Sequence, residues 1–220
     1  SGAEVLRLWV AMVDYREEVR IGPHILARII EAYRKIRNTL RILVANLYDF
    51  DPARDALAPG QLTEVDRYAL SRYGEVATSV LQAYDAYEFQ TAVHTLNHYL
   101  TVDLSAFYVD ISKDRLYTFG PDAPERRSAQ TAIHTIVDGL TRLFAPILPV
   151  TADELWRALP AADEASVHLA DFPAGLDRLL DPKLAARWDR LVNVRNAVNG
   201  ELEKLRQAKV VGTSLEAAVT

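Results

Sequence analysis

The sequence predicts an all-α protein, a helical bundle with at most one short strand near residues 166–172. Three observations carry that prediction. Apolar residues recur at spacings of three and four along nearly the whole chain. Proline or a cap-type residue stands where many of these periodic segments begin. The segments are long and joined mostly by short or medium connections, so their apolar stripes have to bury one another. With 220 residues, half of them hydrophobic, the chain can build one good core, or one large and one small module.

Val5, Trp9 and Met12 predict a first short helix that ends before "DYREEVRIG". Gly22-Pro23 reads as a cap followed by proline in the first helical position. Ile25, Ile29, Ile36, Leu40, Leu43 and Leu47 then mark one face of a long helix over about 23–48. "DFDPARDALAPG" is acidic, carries two prolines and a glycine, and reads as a loop. Thr63 and Asp66 resemble a helix-start box, and Ala69, Tyr73, Val76, Val80, Tyr84 and Tyr87 continue at helical spacing. Asp85 and Glu88 mark a turn into a helix striped by Phe89, Val93, Leu96, Leu100, Leu104 and Phe107. "ISKDRLYTFGPDAP" reads as a loop with at most one helical turn. Pro124 opens a helix containing Ile133, Ile136, Leu140 and Leu143, and "APILPV" breaks it. Thr151 and Glu154 suggest a capping box for a short helix ending near Leu159. "SVHLADF" alternates as a short strand would. A last long helix over about 183–207 places Leu184, Trp188, Leu191, Val198, Leu202 and Leu205 on one seam. The expected organisation is a leading helix and linker at 1–22, a main bundle at 23–160, and a linker with the long helix at 161–220. There is no internal repeat and no low-complexity run.

Several chemistries are excluded or poorly supported. The chain has no cysteine, so disulfides, thiolate metal sites and a cysteine nucleophile are impossible. No stretch approaches the ~20 apolar residues that span a bilayer. The glycines are scattered and form no phosphate-cradling loop, and no Gly-x-Ser-x-Gly occurs. His94 and His98 have the four-residue spacing of metal ligands on a helix. Thr95 stands where the zinc-protease motif needs glutamate, no third ligand has a fixed spacing, and ordinary structural histidines are favoured.

The stronger lead is "EAYRKIRNTLRILVANLYDF", where Arg34, Lys35, Arg37 and Arg41 crowd into eight residues of a chain whose formal net charge is −5. At about 100° per residue, Arg34, Arg37, Asn38 and Arg41 share an arc opposite the apolar stripe. Guanidinium forks suit phosphate, and asparagine can read a base edge or brace a sugar. The bland reading is a solvated face neutralised by the acidic stretch that follows, residues 49–66. Arg195 interrupts the seam of the last helix beyond Trp188. A half-buried arginine paired with a carboxylate is favoured there over one projecting toward a nucleic acid.

Taken in order, "SGAEVLRLWVAMVDYREEVRI", "AYRKIRNTLRILVANLYDFDP", "FYVDISKDRLY", "SVHLADFP" and "WDRLVNVRNAVNGELEKLRQAKVVGTSLEA" resemble bacterial-type isoleucyl-tRNA synthetases, in the part that follows their catalytic domain. The resemblance runs essentially end to end. It implies the helical anticodon-binding domain of class Ia synthetases, which grips the anticodon stem and loop and positions the tRNA for isoleucylation. The expected partners are isoleucine tRNA and the catalytic domain and C-terminal module of the same parent chain, with no membrane and no DNA. The expected location is cytoplasmic. The HIGH and KMSKS signatures of the adenylate-forming site are absent, so the fragment is expected to be inactive alone and to need no cofactor. ATP and zinc are implied only for the parent. Both ends read as cut from something longer, with "GTSLEAAVT" similar to the start of the next module. The resemblance implies RNA contacts by Arg34, Lys35, Arg37, Asn38 and Arg41, with Arg126 and Arg127 as secondary candidates. The competing expectation is a helical docking module whose basic face meets protein rather than RNA, and a metal-dependent enzyme using His94 and His98 ranks third.

Overall fold

The computed structural model describes residues 2–213 and 216–218, and every regular element among them is helical. In order these are α1 (Ala3–Met12), α2 (Pro23–Ala45), α3 (Pro52–Asp55), α4 (Glu64–Asp85), α5 (Phe89–His98), a π-helix (Tyr99–Val109), α6 (Asp110–Thr118), α7 (Pro124–Phe144), α8 (Pro149–Trp156) and α9 (Pro182–Gln207). One compact unit runs as far as Leu180 and a second begins at Asp181.

In the first unit α4 packs on α5 and α7, α2 lies against α7 and α8, and α1 closes over α2 and α5. Leu8, Ile36, Leu40, Leu96, Leu140 and Trp156 are among the side chains at its centre. Pro23 begins α2 behind an extended Gly22, because proline needs no amide partner in the first turn. α4 ends on Tyr87 in the left-handed region, φ 59°, where the Glu88 amide donates to the Ala83 carbonyl at 2.8 Å and closes the helix. α7 passes Tyr73 of α4 at Gly139, where a Cβ would lie 1.6 Å from the Tyr73 hydroxyl oxygen.

The structure departs from the sequence expectations in identifiable places. The compact unit includes α1 and continues to residue 180, rather than spanning 23–160. Glu4 is the reason at one end. Its buried carboxylate accepts from the Val150 amide (2.8 Å), the Thr151 amide (2.9 Å), the Thr151 hydroxyl and the Tyr33 hydroxyl, and so caps α8 from another helix. Arg7 adds bonds to the carbonyls of Pro146 and Ile147. At the other end the Trp156 indole donates to the Glu164 carbonyl, and residues 176–180 pack over Gly74.

Thr151 is therefore not the cap of α8, and Glu154 is free to bond elsewhere. Thr63 does precede α4, but its hydroxyl donates to Asp66 instead of capping, because Asp66 is the acceptor of a buried cluster. The expected strand at 166–172 is a single 3-10 turn, Val167–Leu169. Val167 is buried there and no neighbouring strand exists among the described residues to pair with it. The acidic loop contains α3, capped by Asp51, and a 3-10 turn at Pro59–Gln61. The loop expected from Ile111 is helical to Thr118, because Ser112 and Leu116 are buried and Arg115 reaches Asp66.

In the second unit α9 starts at Pro182, one residue from the expected 183, behind the Asp181 cap. Its expected seam is not uniformly inward, since Leu191 and Leu205 are exposed. Trp188 and Arg195 are half-buried and each has an interaction partner. Of the C-terminal stretch expected to begin a further module, residues 214, 215, 219 and 220 lie outside the described residues.

Candidate nucleic-acid interface

α2 turns Ile36, Leu40 and Leu43 into the core, which forces the positions between them outward. The exposed side carries Arg34, Asn38 and Arg41, with Arg37 half-buried beside them. A groove of roughly 590 Å³ runs between α2 and the α8 region. Arg37, Asn38, Arg41 and Ile42 line one side, and Thr151, Glu154, Leu155 and Ala158 line the other. Three of the five sequence candidates therefore share one concave surface.

The remaining two stand apart. Arg34 is exposed and paired with Glu31 one turn away at 2.7 Å. Lys35 lies around the helix on a second groove, with Arg28, Glu31, Asn97 and Thr101. Arg28 belongs to the same basic surface and was missed, because sequence spacing separates it from the cluster at 34–41.

Arg37 does not point freely to solvent. Its Nη2 donates to both Glu154 carboxylate oxygens, at 2.8 and 2.7 Å. That hydrogen bond, then Glu154's negative charge, raises the guanidinium pKa. The side chains of the pair are 36% and 60% exposed, so water can compete for it. No sequence signal pairs residues 117 positions apart. Arg41 and Asn38 have no ion-pair or side-chain hydrogen-bond partner among the described residues, and their donors remain available at the groove.

The acidic stretch that follows does not neutralise this face. Asp49 and Asp66 turn to arginines from later in the chain, while Asp55 pairs first with its neighbour Arg54 at 2.8 Å and then with Arg127. Arg126 forks onto Asp49 at 2.6 and 3.0 Å, and the hydrogen bond from Arg126 depresses the Asp49 pKa against the opposing effect of burial. Arg127 donates to the Asp49 carbonyl (3.1 Å) and Gln130 (2.9 Å) and pairs with Asp55 at 3.4 Å. Arg115 bonds both oxygens of Asp66 at 2.7 and 2.9 Å, beside Tyr108 and Ser128. Arg126 and Arg127 are only 4% and 7% exposed. The expected secondary RNA contacts at Arg126 and Arg127 therefore lie on buried side chains engaged by Asp49, Asp55 and Gln130, a geometry that counts against them as contacts.

Tyr33, close to the basic face, is tied by its hydroxyl to Glu4 and Thr151. His94 and His98 are exposed on a groove between α4 and α5. No group of three or more metal-ligating side chains occurs among the described residues. The α2–α8 groove offers guanidinium and amide donors over an apolar floor, an arrangement that can hold a phosphodiester and a neighbouring polar edge.

A family model described as the anticodon-binding domain of tRNA ligase matches residues 66–220. Over 219 residues the chain is 49% identical to an isoleucine–tRNA ligase of Geobacter sulfurreducens and 46% identical to one of Halalkalibacterium halodurans. Each match covers 100% of the chain and 24% of the relative. The isoleucine–tRNA ligase of Symbiobacterium thermophilum is 48% identical over 220 residues, with 99% and 24% covered. The chain thus spans about a quarter of the length of the curated relatives it matches. Among solved structures, the LeuRS of Agrobacterium radiobacter K84 in its ternary complex with tRNA and LeuAMS superposes with a TM-score of 0.59. It is 15% identical and covers 82% of this chain and 20% of that one, a likeness of fold. The basic helix lies outside the 66–220 match but inside the full-length similarity to the isoleucine–tRNA ligases.

Proposed function

This chain belongs to the anticodon-binding domain family of tRNA ligases, and on that premise we propose that it grips the anticodon arm of isoleucine tRNA through the outer face of α2. The observation that carries the reading is the convergence of Arg37, Asn38 and Arg41 on the α2–α8 groove, left unneutralised by the acids at 49–66. Arg41 supplies a free fork for phosphate, and Asn38 supplies donors and an acceptor for a sugar or base edge. Arg34 and Lys35 extend positive charge along the helix to either side. Arg37 joins when a phosphate oxygen replaces Glu154, an exchange favoured by the pair's exposure.

In the parent the domain orients tRNA while another part of the chain performs isoleucylation in the cytoplasm. The contribution proposed for this domain is recognition, carried by the donors of Arg37, Asn38 and Arg41 at the groove. ATP and zinc belong to the parent's other modules. This chain has no cysteine, so a thiolate zinc site is not available to it. The exposed apolar side chains Leu6 and Val10 on α1 favour a docking role for that helix toward the rest of the parent chain.

The test is tRNA binding by the wild-type chain and by a variant with Arg34, Lys35, Arg37 and Arg41 all changed to Ala, after circular dichroism shows both folded. The expected result is binding by wild type at low salt and its loss in the variant. Undiminished binding by the variant would remove α2 from the interface. Absence of binding by folded wild type would favour a protein-docking role for the basic face.

A further inference from the structure

We infer that Tyr48 is a stacking platform for an unpaired nucleobase at the end of the α2 arginine track. The inference rests on the RNA-binding reading above and adds a site to it. Tyr48 is 83% exposed, more than any other large apolar or aromatic side chain described. A single exposed tyrosine means little on its own. Its surroundings give this one a function.

The first is rigidity. Tyr48 lies in the turn directly after α2, and its backbone cannot drift, because Leu47 and Phe50 on either side are buried. The Leu47 amide donates to the Val44 carbonyl and the Phe50 amide to the Leu47 carbonyl. The Gln130 side-chain amide donates to the Asn46 carbonyl at 2.9 Å.

The second is a brace. The Arg126 guanidinium carbon sits 5.9 Å from the centre of the Tyr48 ring. Arg126 is itself immobile, held by both Asp49 oxygens and by the Leu116 carbonyl. A cation fixed against one part of the ring restrains it while most of its surface stays open to solvent. The buried Arg126–Asp49 pair thus serves the interface as a support rather than as a contact. An aromatic ring restrained before binding loses little conformational freedom when a flat ligand settles on it.

The third is position. Tyr48 follows Arg41 by seven residues, one turn of helix to the end of α2 at Ala45 and then the turn that carries the tyrosine. A strand whose phosphate lies on Arg41 reaches the tyrosine within a nucleotide or two. The ligand class follows. A duplex keeps its base faces stacked on one another, whereas an unpaired loop presents a free face that aromatic side chains take up.

The experiment uses an RNA hairpin carrying the isoleucine anticodon loop, bound to wild type, to Tyr48→Phe, to Tyr48→Leu and to the quadruple basic variant. A parallel series removes single loop bases to leave abasic sites. Tyr48→Phe should bind as wild type does, because the ring and not the hydroxyl makes the contact. Tyr48→Leu should bind on the order of tenfold more weakly, with an unchanged salt slope, since stacking involves no phosphate. One abasic position should reproduce that loss in wild type and add nothing to it in Tyr48→Leu. Wild-type affinity in Tyr48→Leu, with binding lost in the basic variant, would overturn the platform and leave the α2 reading standing. Equal losses in Tyr48→Phe and Tyr48→Leu would also overturn it, by assigning the effect to the hydroxyl. No binding by wild type at low salt would remove the RNA-binding reading and the platform with it.

Discussion

Glu154 sets how much positive charge the interface shows at rest. Both of its oxygens accept from one nitrogen of Arg37, so a bound phosphate has to displace it. Glu154→Gln keeps the shape and removes the competing charge. RNA affinity should rise by about two- to fivefold, the scale of an exposed ion pair. The slope of log K against log salt should stay close to that of wild type, because the phosphate contact at Arg37 forms in both proteins. Fluorescence anisotropy across a salt series reads both, and a weaker complex would show that Glu154 orients Arg37 rather than masking it. Asp49 carries a different consequence. Its hydrogen bond from Arg126 holds its folded pKa below the unfolded value. The pair's contribution is therefore complete above the unfolded carboxylate pKa of about 4 and disappears as pH falls through the lower folded value. Asp49→Asn should lower stability at neutral pH and flatten its dependence as pH falls below the unfolded carboxylate pKa of about 4. Urea midpoints measured at several pH values would show whether the acid-side slope depends on this residue.

At the scale of elements, the crossing of α4 and α7 turns on one glycine. Gly139→Ala places a methyl group where the Tyr73 hydroxyl already stands, and Tyr73 is 1% exposed with no room to turn. Tyr73 or one of the two helices has to move to admit the methyl group. The substitution should destabilise the domain by about 1–3 kcal/mol or more, as overpacked cores do, measured as a lowered denaturant midpoint. The long helices were legible because each writes its own periodicity: Pro23 places the start of α2, and the stripe from Ile29 to Leu43 its body, while Leu47 belongs to the turn after its end at Ala45. Short elements were not. α6 reads as loop because its stability comes from Arg115 reaching Asp66, 49 positions away, and α8 takes its cap from Glu4. The stretch at 166–172 alternates like a strand but buries only Val167, so pattern without a pairing neighbour produced a turn. The widening of the helix at 99–109 into π geometry has no signal that we can identify in its residues.

For the whole molecule, charge is divided by purpose. Asp49, Asp55 and Asp66 engage the interior arginines 115, 126 and 127, while α2 keeps its charge outside. This resolves how a chain of net charge −5 can present a basic track: the balance is local, and an acidic remainder limits indiscriminate binding to polyanions. The location of the track was readable from the clustering of Arg34, Lys35, Arg37 and Arg41. That Lys35 faces another groove, and that Arg126 and Arg127 face inward, required knowing where Asp49 and Asp55 fold. Isolated from the other three-quarters of its relatives' length, the domain should bind tRNA weakly, since contacts that act together in a longer chain are lost. The decisive measurement is the affinity of this chain for isoleucine tRNA and for the same tRNA with an altered anticodon, each across a salt series. The interface described here predicts tighter binding to the native anticodon, and for both RNAs a fall in affinity as salt rises. Equal affinity for the two RNAs would contradict anticodon recognition and leave a phosphate grip alone. Absence of binding at low salt by the folded chain would contradict the RNA interface itself.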